Sequence, residues 1–420
     1  MRRISILYAI MKPCVNWAIR LFYRNLHVRN SAQICDVGAP VLLISNHQNA
    51  LMDPLLCCIT SPKQLNFLTR ADVFKNPLAK KVLTGLNMLP VYRPHDKVNI
   101  IESNAPTFRE SLTRLENNQI ISLFPEGTHQ PDQNLKPFKK GAARLIGDVF
   151  DAGKCDKIII QPVGLHFTNI MHSGYPGFVH FGEQMVITAD ELDLTPENRS
   201  KIVLGLTKRL RDSLAECVIH INEDEHYSRK LFVFRTRQWS ALFSKKGGSI
   251  PEFKAIEAEL GNYTSSLEGQ ISDEEITELE NSSFGMPALV LAADESLRKR
   301  FGKKLLLLTP IYFVGYLVTA IPYFIGKKLA SKMVKDVCFT SSAKIVIGTV
   351  IIPLFWAVLL VIALSIFHTP LVYVGFVFTV FCGAIFLKYH TSYRIFNLSK
   401  RMTKSEEYTS LIAAVNRTAS

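Results

Sequence analysis

Residues 41–54 read Val41-Leu42-Leu43-Ile44-Ser45-Asn46-His47-Gln48-Asn49-Ala50-Leu51-Met52-Asp53-Pro54. The apolar run 41–45 has the length and composition of a buried strand. It stops at a polar turn that leads into Asp53-Pro54, a helix start. A second run repeats the arrangement: Ile120-Ile121-Ser122-Leu123-Phe124 is a strand ending on Pro125-Glu126-Gly127-Thr128-His129. Lys157 to Val163 reads as a third strand and Phe178 to Ile187 as a fourth, with Asn66–Leu68 and Met88–Tyr92 as shorter ones. Helical stretches fall at Thr107–Glu116, at Lys139–Phe150 and, longer and amphipathic, at Pro196–Glu223. Buried strands alternating with helices predict an α/β fold, a sheet flanked by helices. Both polar runs sit where a strand ends, the usual place for a ligand crevice in such sheets.

On either side of this core the chain changes character. Ile4, Leu7, Met11, Val15, Ala18 and Phe22 recur at helical spacing, accompanied by Arg2, Arg3, Lys12, Arg20 and Arg24. This predicts an N-terminal amphipathic helix on an anionic membrane surface, kinked at Pro13; the alternative is a helix packed on its own domain. No small-residue cleavage site follows, so a signal peptide is not expected. The stretch from 224 to about 300 is polar, with the acidic run Asp273-Glu274-Glu275, and reads as a helical connector. Between Lys344 and Lys388 there is no Asp, Glu, Lys or Arg. That interval holds two spans of about 20 residues each, turning at His368-Thr369-Pro370. Basic residues flank both outer ends, which predicts a hairpin with its ends in the cytoplasm. Leu305 to Gly326 is apolar but broken by Pro310 and Pro322 and basic on both sides, so a re-entrant or broken hairpin is expected there. The division that follows is 1–30 interfacial helix, 31–223 catalytic domain, 224–304 connector, 305–388 membrane module and 389–420 cytoplasmic tail.

The 420 residues carry 49 Lys+Arg against 36 Asp+Glu, a net charge of +13. Such a balance suits anionic lipid or anionic substrates. Nucleic acid is not expected as a partner, because no finger, basic-helix or aromatic-strand motif accompanies the charge. The eight cysteines form no Cys-x-x-Cys. They are neither a disulfide framework nor a zinc pattern, and no metal site is expected. Cys57-Cys58 reads as small buried filler rather than a nucleophile pair.

His47 is a general base by type, and Asp53 a carboxylate able to orient it. Alone, the pair is equally a turn-capping histidine beside a helix-starting aspartate. Arg93 suits bidentate contact with phosphate. Glu126 could accept from a polyol hydroxyl, hold Arg93, or hold its own loop. Gly127 allows close backbone approach or a positive φ. Lys140, opening a helix in Lys139-Lys140-Gly141, could meet phosphate, although two lysines there are more often simply solvated. His129 and His166 read as structural, and Arg70 as a site-lining residue without assigned chemistry.

Taken together these blocks resemble the lysophosphatidic acid and glycerol-3-phosphate acyltransferase superfamily over roughly residues 40–190. Asn46-His47…Asp53 resembles its first block, Gly85 to Arg93 the second, Phe124-Pro125-Glu126-Gly127-Thr128 the third and Ile160-Gln161-Pro162-Val163 the fourth. The resemblance implies that His47 and Asp53 are catalytic. It places Arg93, Glu126, Gly127 and Thr128 on the acceptor and Pro162 on the acyl-donor side. It also implies acyl-CoA or acyl-carrier protein as co-substrate, with no further cofactor. Two departures stand out. Five residues separate His47 from Asp53 where the family has four, and His129 replaces the common arginine or serine. The longer spacing and the membrane hairpin look like the fungal-type glycerol-3-phosphate and dihydroxyacetone-phosphate enzymes. Glycerol-3-phosphate, or dihydroxyacetone phosphate, is therefore the acceptor expected, with lysophosphatidic acid as the alternative. Of other classes, a hydrolase is disfavoured by the lack of a Gly-x-Ser-x-Gly elbow, and a non-catalytic lipid-binding protein by the intact blocks.

Overall fold

The computed structural model describes residues 6–34, 38–93, 96–153, 155–244, 248–264, 271–282 and 284–418. Arg2, Arg3 and Ile4 of the expected N-terminal helix, and Cys35, lie outside the described residues. Two compact units result, one comprising Met1–Trp17, His27–His166 and Phe178–Val218, the other Ala18–Leu26, Phe167–Gly177 and Ile219–Ser420.

The first unit is built on a sheet of eight strands: β1 (Leu26–Arg29), β2 (Val41–Ser45), β3 (Leu65–Arg70), β4 (Met88–Val91), β5 (Ile120–Leu123), β6 (Lys157–Phe167), β7 (Gly177–Phe181) and β8 (Met185–Thr188). The order is β1-β7-β6-β2-β5-β3-β4, with β8 also on β6. β2 runs parallel to β5 and β6, and β3 parallel to β4 and β5, while β8 is antiparallel to β6. All five residues of β2 are buried, as a central strand covered on both faces requires. The helices are α1 (Ile6–Phe22), α2 (Met52–Thr60), α3 (Pro77–Gly85), α4 (Ile100–Glu116), α5 (Gly141–Asp151) and α6 (Arg199–Ala215). Leu145, Ile146 and Val149 of α5 and Leu206, Leu210 and Leu214 of α6 share one core with Leu42, Ile121 and Ile160. Each such side chain contributes about 1.5–3 kcal/mol when fully buried.

Several expected boundaries move. The strand expected from Phe178 to Ile187 is two, β7 and β8, broken at Gly182. A Cβ at Gly182 would overlap the Cys217 sulfur and crowd Pro162. Helix α6 stops at Ala215 rather than Glu223, because Cys217 and Val218 are buried and the Cys217 carbonyl lies where a Gly164 side chain would be. Helix α4 starts at Ile100, with Asn99 capping Glu102 N–H, and keeps Pro106 inside. β1 has no counterpart among the expected strands. Helix α1 packs one face through Tyr8, whose hydroxyl meets Cys58 and the Leu65 N–H. Its other face leaves Ile6, Ile10 and Trp17 exposed.

The second unit is helical: α7 (Tyr227–Phe243), α8 (Ile250–Thr264), α9 (Asp273–Asn281), α10 (Gly285–Ala293), α11 (Glu295–Met333), α12 (Thr340–Phe367), α13 (Leu371–Met402) and α14 (Thr409–Thr418). Glu295–Met333, Val337–Phe367 and Leu371–Met402 are long and apolar enough to cross a membrane. The segment expected to be a broken hairpin is continuous helix in α11, and it runs across the expected boundary at 304/305. Its contacts nonetheless double back. Gly302 lies on Phe396, the Leu305 carbonyl accepts from Tyr393, and Tyr312 bonds His390 at 2.8 Å. Gly315 reaches Cys382, and then Tyr323 stacks back against Phe386 and His390. A straight helix would carry Tyr323 about 12 Å beyond Gly315, away from His390. Helix α11 is therefore bent between Pro310 and Pro322, the residues that weaken its hydrogen-bond ladder.

Candidate active site

Parallel strands bring their C-terminal ends to one edge of the sheet, so the turns after β2, β3, β4 and β5 collect there. Ser45 Oγ donates to the Val163 carbonyl, and Asn46 pairs its amide with both the Leu165 N–H and carbonyl, at 2.8 and 2.9 Å. The Asn46 side chain thus extends the β2–β6 ladder by one step and fixes where His47 begins. His47 Nδ1 then lies 2.7 Å from Asp53 Oδ2, which also accepts from the Asn49 N–H at 2.8 Å. Asp53 is fully buried in the first turn of α2, where the helix N-terminus favours a carboxylate. The five-residue spacer closes because Ala50 takes φ 39° and Met52 N–H bonds the Asn49 carbonyl. With Nδ1 held by a carboxylate, Nε2 is the nitrogen that can take a proton.

Glu126 is buried, and each carboxylate oxygen receives a backbone N–H: Oε1 from His47 at 2.8 Å and Oε2 from Lys136 at 3.0 Å. Burial raises its pKa above the usual carboxylate range, and these two N–H bonds oppose the shift. Of the three roles open to Glu126, the geometry realises the loop-holding one. It ties the His47 turn to the turn after β5 and to the segment near 136. Gly127 has φ 74°, and a Cβ there would stand 3.2 Å from Lys139 Cγ. Lys139, not Lys140, is therefore the lysine lying on this loop. Lys140 and Thr128 are exposed. Phe124 stacks on the His47 ring at 4.3 Å, and His129 meets that ring edge-on at 5.4 Å. Both contacts were missed in the sequence, since nothing in the spacing marks which side chains wall an imidazole.

Arg93 is half-buried after β4, with its N–H on Asp96 Oδ2 at 2.6 Å. Burial, and then the neighbouring Arg70, lower its pKa, while Asp72 and Asp96 oppose them. Arg70 itself forks onto Asp72. The strand end at β3–β4 therefore holds two guanidinium groups and two carboxylates. Asn104 on α4 fixes this strand end. Its side chain spans the Tyr92 N–H and carbonyl at 2.8 and 2.9 Å, and Thr107 bonds the Pro90 carbonyl. This support was not legible because Asn104 falls before the expected start of α4. Pro162 is buried inside β6, opposite Ile44. His166 is buried and bonds Gln133 at 3.1 Å. Burial drives the Cys57 thiol up, the wrong direction for a nucleophile.

The site thus sets a fully buried carboxylate on His47 Nδ1 and walls the imidazole with Phe124 and His129. Residues 24–166 match the family model described as Acyltransferase. The chain is similar to 1-acyl-sn-glycerol-3-phosphate acyltransferase LPAT1, chloroplastic, of Arabidopsis thaliana, 24% identical over 200 residues, covering 46% of this chain and 52% of that one. It is 26% identical over 180 residues to the 1-acyl-sn-glycerol-3-phosphate acyltransferase of Borreliella burgdorferi, covering 41% and 66%. It is 24% identical over 111 residues to glycerol-3-phosphate O-acyltransferase 2 of Saccharomyces cerevisiae, covering 26% and 15%. A crystal structure of PlsC, the LPA acyltransferase of Thermotoga maritima, aligns with a TM-score of 0.34 at 21% identity, covering 50% of this chain and 78% of that one. The chain spans about half the length of the plant relatives it matches. Over this region the chain is similar to glycerolipid acyltransferases.

Proposed function

We propose that this chain is a membrane-bound acyltransferase that moves a fatty acyl group from a thioester donor to a hydroxyl of a glycerol-phosphate acceptor. The observation that carries the reading is the His47–Asp53 pair, 2.7 Å apart with Asp53 fully buried. His47 Nε2 takes the proton of the acceptor hydroxyl as its oxygen attacks the thioester carbonyl. The C–S bond then breaks, and the imidazolium returns the proton to the leaving thiolate. Asp53 holds the tautomer and stabilises the imidazolium. Arg93 is the proposed ligand of the acceptor phosphate. The donor is acyl-CoA or acyl-carrier protein. The apolar helices and the exposed Ile6, Ile10 and Trp17 of α1 support a membrane-bound enzyme, and the basic flanks of the apolar stretches support an active site on the cytoplasmic side.

We infer 1-acyl-glycerol-3-phosphate as the first acceptor to test, because two of the relatives reported above carry that name over more than 40% of this chain. The shorter match to the yeast enzyme, together with the five-residue spacing, supports glycerol-3-phosphate as the second. Membranes carrying the protein are offered each acceptor separately with acyl-CoA, beside His47→Ala. Product from 1-acyl-glycerol-3-phosphate alone assigns the phosphatidate-forming step, and product from glycerol-3-phosphate alone assigns the step before it. Product that survives His47→Ala overturns the mechanism. Loss of the base is expected to lower the rate by about 10²–10⁴-fold.

A further inference from the structure

Among the described residues of the second unit, the charges that act on Lys327, Lys344 and His172 are all positive. Lys327 stands near the C-terminal end of α11, Lys344 in the first turns of α12 and Arg394 on α13. His172 belongs to the segment 167–177, which the same helices grip. Lys344 Nζ donates to the Met171 carbonyl at 2.7 Å, and Thr391 Oγ1 to the Ser173 carbonyl at 2.6 Å. Tyr323 Oη lies 3.4 Å from Ser173 Oγ. The Arg394 guanidinium sits 4.3 Å from the Phe284 ring centre, and Phe284 packs edge-on against His172 at 5.7 Å. Three helices and one loop thus bring four basic side chains to one place. The charges acting on Lys327 and Lys344 are those of Arg394 and Lys327 themselves. Burial first, and then Lys344, Lys327 and Arg394, hold His172 down at about 4.

Basic residues that only orient a membrane protein reach into water. Lys327 and Lys344 are half-buried instead, and Lys344 spends its ammonium on a backbone carbonyl. Like charges gathered in a partly desolvated place are unfavourable until an anion neutralises them. The positions also flank the apolar stretches, at the level where lipid headgroups lie. We propose that Lys327, Lys344, Arg394 and His172 form a binding site for a phosphate-bearing anion, either the headgroup phosphate of an anionic glycerolipid or free phosphate. Arg394 offers a planar fork and the two lysines mobile point charges. This site rests on the second unit alone and does not require the acyl-transfer reading.

Full-length protein in detergent is titrated with dioleoyl phosphatidate or with phosphatidylcholine, and retained lipid is counted by native mass spectrometry. A separate arm adds inorganic phosphate and measures its binding by calorimetry. The variants are Lys327→Gln/Arg394→Gln and the charge-keeping Lys327→Arg/Arg394→Lys. The expected result is preferential retention of phosphatidate, weakened about tenfold per charge removed and preserved in the charge-keeping pair. Phosphate binding lost in the neutral pair supports the site with free phosphate as its source. Phosphatidate held elsewhere in the chain is recognised by its indifference to these substitutions. Equal retention of both lipids with no phosphate binding, or retention unchanged in the neutral pair, overturns the proposal.

Discussion

At the scale of single residues, the site depends on where two carboxylates spend their lone pairs. Asp53 Oδ2 is shared between His47 Nδ1 and the Asn49 N–H, so Asp53→Asn must turn an amide N–H toward one of two donors. The variant is expected to stay folded and to lose up to about 10⁴-fold in kcat, read in the acyl-transfer assay with substrate affinity followed separately. Glu126 is a second case. Glu126→Ala strands two buried N–H groups at about 1–3 kcal/mol each, whereas Glu126→Gln keeps an acceptor for one of them. The pKa of Glu126 is raised in the fold by burial. Its contribution to stability is therefore present below the unfolded carboxyl range and lost as pH rises through the raised value. Denaturation of wild type beside Glu126→Gln should show the wild type gaining on the variant from neutral to mildly acidic pH; a gap that widens the other way contradicts this. His47, Asp53, Arg93 and Glu126 were all legible as polar residues at strand ends. What Glu126 does was not, because its partners are main-chain N–H groups that any sequence carries. Ala50 shows the same limit. A left-handed alanine leaves no mark in composition, yet it lets a five-residue spacer return Asp53 to His47.

At the scale of elements, local patterns predicted β2, β5 and α5 well, since each buries an uninterrupted apolar face. They failed where a neighbour decides the outcome. Gly182 breaks β7 from β8 because Cys217 occupies its side-chain space, and α6 ends early because residues 217 and 218 are claimed by the core. Packing among the apolar helices follows the same logic. A Cβ at Gly315 would overlap the Cys382 carbonyl and come 3.0 Å from Phe386 Cβ, and one at Gly383 would clash with Trp356. Small residues let apolar helices approach where no hydrophobic drive separates protein from lipid. Gly315→Val is expected to destabilise the second unit by about 1–3 kcal/mol through overpacking. Gly375→Ala, with nothing within 4 Å of its Cβ, should leave stability unchanged. Thermal unfolding in detergent compares the two, and equal melting of both variants would refute close packing at Gly315.

At the scale of the whole molecule, the bend in α11 decides whether its two basic clusters lie at one end of the helical unit or at opposite ends. Length and composition alone allow Glu295–Met333 to cross, which would put Lys303 and Lys332 on opposite faces. The contacts argue otherwise. Leu305 meets Tyr393, and Tyr323 returns to His390 three residues away on the same helix. Both ends of α11 therefore lie toward the C-terminal part of α13. The α12–α13 hairpin, turning at His368 in the left-handed conformation, likewise returns its basic flanks to the side it left. Keeping Lys303, Lys332 and Lys400 in water on one face leaves no cation to be dragged through hydrocarbon, which is costly for each charge moved. Single cysteines placed at 303, 332 and 400 in sealed vesicles should react with a membrane-impermeant maleimide from the same side, and a cysteine at 369 from the opposite one. Labelling of 303 and 332 from opposite sides would make α11 a straight span and would move Lys327 away from the face that Lys303 occupies.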